Sequence, residues 1–448
     1  MLEDVSETPG PAAATPAPAS EPTAPRPTSP TAGPTASPPA EGASAGTSPW
    51  LPRLLAAGLV LAALNLRPAI TSLGSLLEEV RDGLHMSGGV AGALTSVPQL
   101  CFAVFGITAP RLARRFGPAT VVLAGMVAIT VGLLIRPFTG STVGFLLAST
   151  LALMGIAVGN VLMPVIVKRW FPDRVGPMTG LYSMALSFGT ALAAAATVPV
   201  TDALGGSWRT GLAVWAALGV LAVLIWIPLV RRRAGAPAEG AGAAAASAVP
   251  EPLPAGFRTA RSSTAWALAC FFGLQSTAAY ITMGWMPQIF RDAGISASTA
   301  GVLLAVTMVM GVPLAFVIPR VAARMRTQGP IVLVLGISGL AGYTGLYLAP
   351  AGGAWVWAVL LGISNCAFPL ALTMIGLRAR TGAGVARLSV FAQSTGYLIS
   401  IPGPLLVGVL NEHSGGWGLP IAFMAALMVP QIVAGVLAGR DRTIDGRG

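Results

Sequence analysis

Apolar runs recur along the chain from Trp50 onward, separated by short polar or basic stretches. Most are close to the roughly 20 residues that an α-helix needs to cross a ~30 Å hydrocarbon core. The pattern predicts spans over residues 53–75, 90–109, 118–135, 142–167, 178–200 and 209–230, then 264–288, 299–318, 330–349, 354–376, 387–410 and 418–438. The expected fold is therefore an all-α membrane protein of twelve transmembrane helices, in a six-helix bundle over 50–230 and a second over 263–438. Residues 1–49 are rich in Pro, Ala, Thr, Ser and Gly and bury too little to offset their ordering entropy, so they read as a disordered tail. The tail lacks the basic start and apolar stretch of a signal peptide. A basic, Ala/Gly/Pro-rich central loop covers 231–262, and a short tail covers 439–448.

Composition supports this reading. Hydrophobic residues make up 54% of the 448 and charged residues 10%, against about 25% charged in a soluble domain. The net charge of +11 rests almost wholly on arginine, Lys168 being the only lysine. Of the 27 basic residues, 22 fall on one side of the predicted membrane and 4 on the other, leaving Arg67 within it. The positive-inside rule then places both termini and the central loop in the cytoplasm, and the arginine- and alanine-rich composition suits a bacterial plasma (inner) membrane. Basic residues scattered between apolar runs do not make a nucleic-acid footprint, so no nucleic-acid partner is expected. Cys101, Cys270 and Cys366 each sit alone in an apolar run, which argues for small buried side chains rather than a disulfide framework or a metal site. No cofactor is expected.

The two halves repeat. AGALTSV at 91–97 aligns with AGVLLAV at 300–306, PRLARR at 110–115 with PRVAAR at 319–324, and Trp208 with Trp417, all at an offset of 209. Asn160 and Pro164 align with Asn365 and Pro369 at an offset of 205. Such an internal six-helix repeat marks the large transporter folds.

Two six-helix halves, a long basic central loop and basic loops after spans 2 and 8 resemble the major facilitator superfamily. The segment APRLARRFG at 109–117 stands where that superfamily carries a Gly/Asp/Arg-rich signature, here without the usual acidic residue. LNLRPAI at 64–70, GNVLMPVIVKRWFP at 159–172, GLYSMALSFG at 180–189 and SWRTGLAVWAALG at 207–219 resemble its cyanate and nitroimidazole transporter branch. LQSTAAYITMGWMPQIFRDAGIS at 274–296 and LSVFAQSTGYLISIPGPLLVG at 388–408 fit the same branch. The resemblance implies a small anion such as cyanate as substrate or, alternatively, export of a nitroimidazole-like drug.

Arg67 carries the most chemistry, because a charge at mid-membrane faces a cavity or a partner. No acidic residue lies within the central part of any predicted span, so its planar guanidinium offers a docking point for an anion. The competing reading is that Arg67 ties up carbonyls freed by Pro68. Asn65 lines the site or bonds a neighbouring helix. On span 11, Ser389, Gln393, Tyr397 and Ser400 share one face, and on span 5 Ser183, Ser187, Thr190 and Thr197 form a milder stripe beside Tyr182. On span 7, Gln275 and Tyr280 are cavity candidates, and Trp285 is either a candidate or an interfacial anchor. Asn160 and Asn365 line the cavity from the two halves or satisfy carbonyls freed by the prolines four residues on. Arg111, Arg114, Arg115, Arg320 and Arg324 read as cytoplasmic gate or topology charges.

The mechanism expected is alternating access in a monomer, with a small, anionic substrate and the lipid bilayer as partners. An enzyme would need clustered carboxylates, histidines or cysteines and a direct ATP user a phosphate-binding loop, and neither is evident; a channel needs a continuous polar path, and the two-half repeat argues against it. Loop-end acids such as Glu78 and Glu79 remain open as coupling groups. A membrane scaffold that carries nothing is the remote alternative.

Overall fold

The computed structural model describes residues 51–234 and 259–444. The expected disordered tail, most of the central loop and the last four residues lie outside the described residues. Among the described residues twelve rods follow in chain order: α1 (Arg53–Ser75), α2 (Gly88–Phe116), α3 (Pro118–Phe138), α4 (Thr142–Trp170), α5 (Pro177–Ala203) and α6 (Trp208–Arg231), then α7 (Ser263–Asp292), α8 (Ala297–Arg324), α9 (Gly329–Leu348), α10 (Ala354–Leu377), α11 (Gly384–Ser414) and α12 (Gly418–Ala438). Eleven of these are long and apolar enough to cross a membrane by composition alone. The more polar α7, with Gln275, Ser276, Thr277 and Gln288 along its length, runs unbroken for 30 residues among them.

Ser and Thr side chains start several rods, each accepting from a backbone N–H three residues on and satisfying an otherwise orphan donor. Ser87 caps α2, Ser141 α4, Ser262 α7 and Ser296 α8 in this way. Five rods are interrupted. The backbone breaks at Leu66–Arg67 in α1, at Val214–Trp215 in α6, at Met310 in α8, at Cys366 in α10 and at Ile401 in α11. Pro68 and Pro402 follow two of these breaks directly, where the missing N–H and the bulky ring end the preceding helix.

Within the first half α1 packs on α5 and α6, and α3 on α4 and α6; in the second, α7 packs on α11 and α12, and α9 on α10 and α12. The halves meet along α1–α7, α2–α11 and α5–α8. Trp226 donates to the Gly58 carbonyl at 2.9 Å and staples α6 to α1. Large apolar side chains such as Leu147, Phe138, Val334 and Leu348 point outward, as they do where lipid is the solvent.

Two arginines counted as loop charges are buried. Arg136, at the end of α3, is 1% exposed and donates to the Ala69 carbonyl at 2.9 Å and to Ser72 Oγ at 3.4 Å. Arg378, just past α10, is 3% exposed and donates to the carbonyls of Ala438 and Gly439 and to Gln328 Oε1. Burial pushes the Arg378 guanidinium below its usual value, with Asp441 opposing the shift. Hydropathy misreads both because a long guanidinium stem reaches inward from a helix end.

Candidate functional site

Pro68 cannot donate to the Leu64 carbonyl, so α1 opens there. The Leu64 carbonyl turns toward Gly189 on α5, where a Cβ would stand 2.5 Å from its oxygen. Arg67 takes the opened turn as N-cap of the second helix segment, Pro68–Ser75, and its carbonyl receives the N–H groups of Ile70 and Thr71. Its guanidinium does not fold back on α1. Nη1 donates to Tyr280 Oη on α7 at 3.2 Å, joining the two halves.

Arg67 and Tyr280 close the deep end of a cavity of about 350 Å³ between the halves. From this layer the cavity runs toward the end that carries the basic loops, past Ser183 and Ser187 on α5, Ala315 and Pro319 on α8, and Thr373 on α10. Of the residues singled out in the sequence, Gln275, Asn365 and Tyr397 also line it. Gln275 Nε2 donates to Ser276 Oγ at 2.9 Å, while its Oε1 is buried without a partner. Asn365, at the break in α10, reaches Met308 Sδ at 3.9 Å. Tyr397 stacks on Phe102 with centroids 5.0 Å apart and meets Phe272 edge-on at 5.1 Å. Of these rings Tyr397 lines the cavity, and Phe102 and Phe272 pack against it.

The other candidates lie elsewhere. Asn65 is fully buried between α1 and α3, with Nδ2 3.9 Å from Met126 Sδ and Oδ1 without a partner. Asn160 donates to the Ile156 carbonyl at 2.9 Å within its own helix, so it serves neither the cavity nor the carbonyl that Pro164 frees. Gln393 bonds Ser389 at 2.7 Å along α11 and is not in the cavity wall. Tyr182 is 8% exposed and sits behind the wall, within electrostatic range of Arg67. Trp285 is neither a wall residue nor an interfacial anchor: it is 0% exposed and packs edge-on against Trp417 at 5.8 Å. Late position in a helix suggested an anchor, but α12 covers that face.

At the basic end Arg111 and Arg320 each donate to a carbonyl one turn back, at 2.9 Å. Arg115 lies 5.1 Å from the Phe116 ring, and Arg114 and Arg324 are exposed nearby. Arg111 and Arg320 thus hold positions 209 apart in matching conformations, in agreement with the repeat.

The opposite end is shut by contacts that the sequence did not reveal. Arg291, at the end of α7, pairs with Glu78 and Glu79 on the short helix Leu77–Leu84, each at 2.9 Å. Gln288 donates to Glu78 at 3.2 Å, and Glu412 accepts from the Gly89 N–H at 3.0 Å. Beneath them glycines let backbones touch across the halves. A Cβ at Gly92 would stand 2.8 Å from the Leu405 carbonyl oxygen, one at Gly301 2.5 Å from that of Ala194, and one at Gly74 would collide with the Met283 carbonyl. Among the described residues no cluster of His, Cys, Asp and Glu is arranged to hold a metal ion.

Comparison with known proteins agrees with this architecture. Residues 54–400 match the family model of the Major Facilitator Superfamily. An uncharacterized transporter of Bacillus subtilis, YycB, is 37% identical over 87% of this chain and 94% of its own length. A 2-nitroimidazole transporter of Escherichia coli is 32% identical over 87% of this chain and 96% of its own. The cyanate transport protein CynX of the same organism is 29% identical over 83% and 93% respectively. Among solved structures, an inward-facing, occupied bacterial homologue of the human lysosomal transporter Spinster superposes with a TM-score of 0.67 at 16% identity, covering 88% of this chain and 97% of that one.

Proposed function

The chain belongs to the Major Facilitator Superfamily, a family of membrane transporters and not of enzymes, and from that premise we propose that it carries a small anion across the plasma membrane by alternating access around Arg67. One observation supports this reading above the others. Arg67 stands at the deep end of the cavity between the halves and makes no ion pair among the described residues, its guanidinium held instead by the neutral phenol of Tyr280. A cation so placed lacks a counter-charge until a solute brings one. Charge-assisted hydrogen bonds contribute about 1.5–3 kcal/mol, enough to set a substrate's affinity.

By the positive-inside rule the basic end is cytoplasmic, with both termini on that side, and the cavity here faces inward. The rocking step closes the halves over the solute at the basic end and parts them at the ion-paired end. One chain holds both halves and the whole cavity, so a monomer suffices. A second reading, export of a planar nitroimidazole-like compound, draws support from the Tyr397 and Phe368 rings in the cavity wall and from the nitroimidazole relative.

The test is flux of labelled cyanate and of a nitroimidazole into proteoliposomes, with and without a proton gradient, for wild type and Arg67→Ala. Saturable cyanate uptake that falls at least tenfold in Arg67→Ala supports the anion reading. A folded variant that carries cyanate as well as wild type refutes it. Nitroimidazole flux that survives the substitution, without cyanate flux in either protein, supports the second reading.

A further inference from the structure

Arg67 is not the only buried cation near the path. On the shut side of Tyr280 lies a second, much smaller cavity of about 20 Å³, walled by α1, α2, α4 and α7 and the end of α3. Arg136 and Ser149 both line it, and Tyr280 lines this cavity and the large one alike. Arg136 spends one nitrogen on the Ala69 carbonyl and another, weakly, on Ser72 Oγ. Its Nε is buried without a partner, and so is Ser149 Oγ, which is 1% exposed. Among the described residues Arg136 makes no ion pair.

A buried guanidinium with a vacant N–H and a buried hydroxyl with a vacant O–H thus belong to two residues that line one cavity about one small ion wide. Buried donors are satisfied in folded proteins almost without exception, and buried charges are paired. A cavity of this size admits one water-sized occupant. Water would satisfy the donors and leave the charge, whereas a small anion answers both.

We propose that Arg136 and Ser149 form a second anion site, which takes a monovalent inorganic anion of halide size, one layer beyond Arg67 toward the shut end. The anion accepts from Arg136 Nε and from Ser149 Oγ. Tyr280 is the partition between this site and the transport cavity, so an ion held at Arg136 and a solute held at Arg67 occupy successive stations on one route. The inference shares with the transport reading only the preference for anions, and binding at Arg136 is measurable without transport.

The experiment is a titration of thermal stability in detergent with sodium bromide, at ionic strength fixed with sodium gluconate, whose anion is too large for the site. Wild type is expected to show a saturable upward shift in Tm. Arg67→Gln is expected to keep it, Arg136→Gln to lose it, and Ser149→Ala to need several-fold more bromide. An absent shift in wild type, or an undiminished one in folded Arg136→Gln, overturns the proposal and leaves Arg136 a strut for the Ala69 carbonyl. A shift lost in Arg67→Gln but kept in Arg136→Gln assigns bromide to the large cavity and also overturns it. If Arg136→Gln fails to fold, Ser149→Ala decides: a weakened response supports the site, and an unchanged one refutes it. Flux through Arg67 is read separately, so either reading can fail alone.

Discussion

Replacing Arg291 by glutamine removes the guanidinium that bridges the carboxylates of Glu78 and Glu79 at the shut end. Glu78 and Glu79 each lie 2.9 Å from Arg291 Nη2, with side-chain exposures of 40% and 33% against 18% for the arginine. Partly exposed pairs of this kind contribute about 0.2–1 kcal/mol each. Two of them on one cation, both spanning the halves, together bias the closed state by about 0.4–2 kcal/mol, a shift of about two- to thirtyfold in the equilibrium. The substitution also leaves two like charges facing an uncharged amide, which adds in the same direction. Spin labels on Asp82→Cys and Ala351→Cys, both exposed at this end on opposite halves, report the change by double electron–electron resonance after Cys101, Cys270 and Cys366 are replaced by alanine. The expected result is growth of a longer-distance population in Arg291→Gln, reproduced by Glu78→Gln with Glu79→Gln. Salt at 1 M, with a Debye length of about 3 Å, should move wild type part of the way. Distance distributions that coincide in wild type and both variants would mean that the ion pairs follow closure without favouring it.

Gly74→Ala places a methyl group against the backbone carbonyl of Met283, which has no side-chain freedom with which to yield. The same labels should then show a shut end that no longer seats, with flux at least tenfold lower; wild-type flux would refute the close approach. Trp285→Ala empties a fully buried site beside Trp417 and is expected to lower stability by about 3–5 kcal/mol, read as a large drop in Tm. Trp285→Phe, which keeps most of the volume, should leave KM for the carried solute unchanged, and a several-fold change would return Trp285 to the binding site.

Much of this architecture was legible in the chain because lipid imposes simple length and polarity constraints. The runs of about 20 apolar residues, the offset of 209 and the sided arginines predict the rods and their pairing into halves. Arg67, Gln275, Tyr280, Asn365 and Tyr397 were legible as cavity residues because polar or charged groups deep in an apolar run must find a polar surface. The same rule does not say which surface. Asn65, Asn160 and Gln393 turn their amide N–H groups to a methionine sulfur, a backbone carbonyl and a serine one turn away. Arg136 sits where hydropathy ends a span, and only packing shows that its head group turns back inside. The pairing of Glu78 and Glu79 with Arg291 joins residues more than 200 positions apart that no local pattern connects.

Two of the glycine crossings have a mechanical meaning beyond closure. Gly92 and Gly301 stand 209 residues apart, the offset of the internal duplication, and each lets a neighbouring helix of the other half come within backbone contact. The duplication has thus supplied a matched pair of bearings, one on each flank of the molecule. A line drawn through them is a natural axle. Side chains would have to unlock for a hinge made of interdigitated rotamers to turn, but smooth backbone against backbone can roll. On this view the chain keeps its strongest grip where it must pivot and its weakest, a few exposed charges, where it must let go.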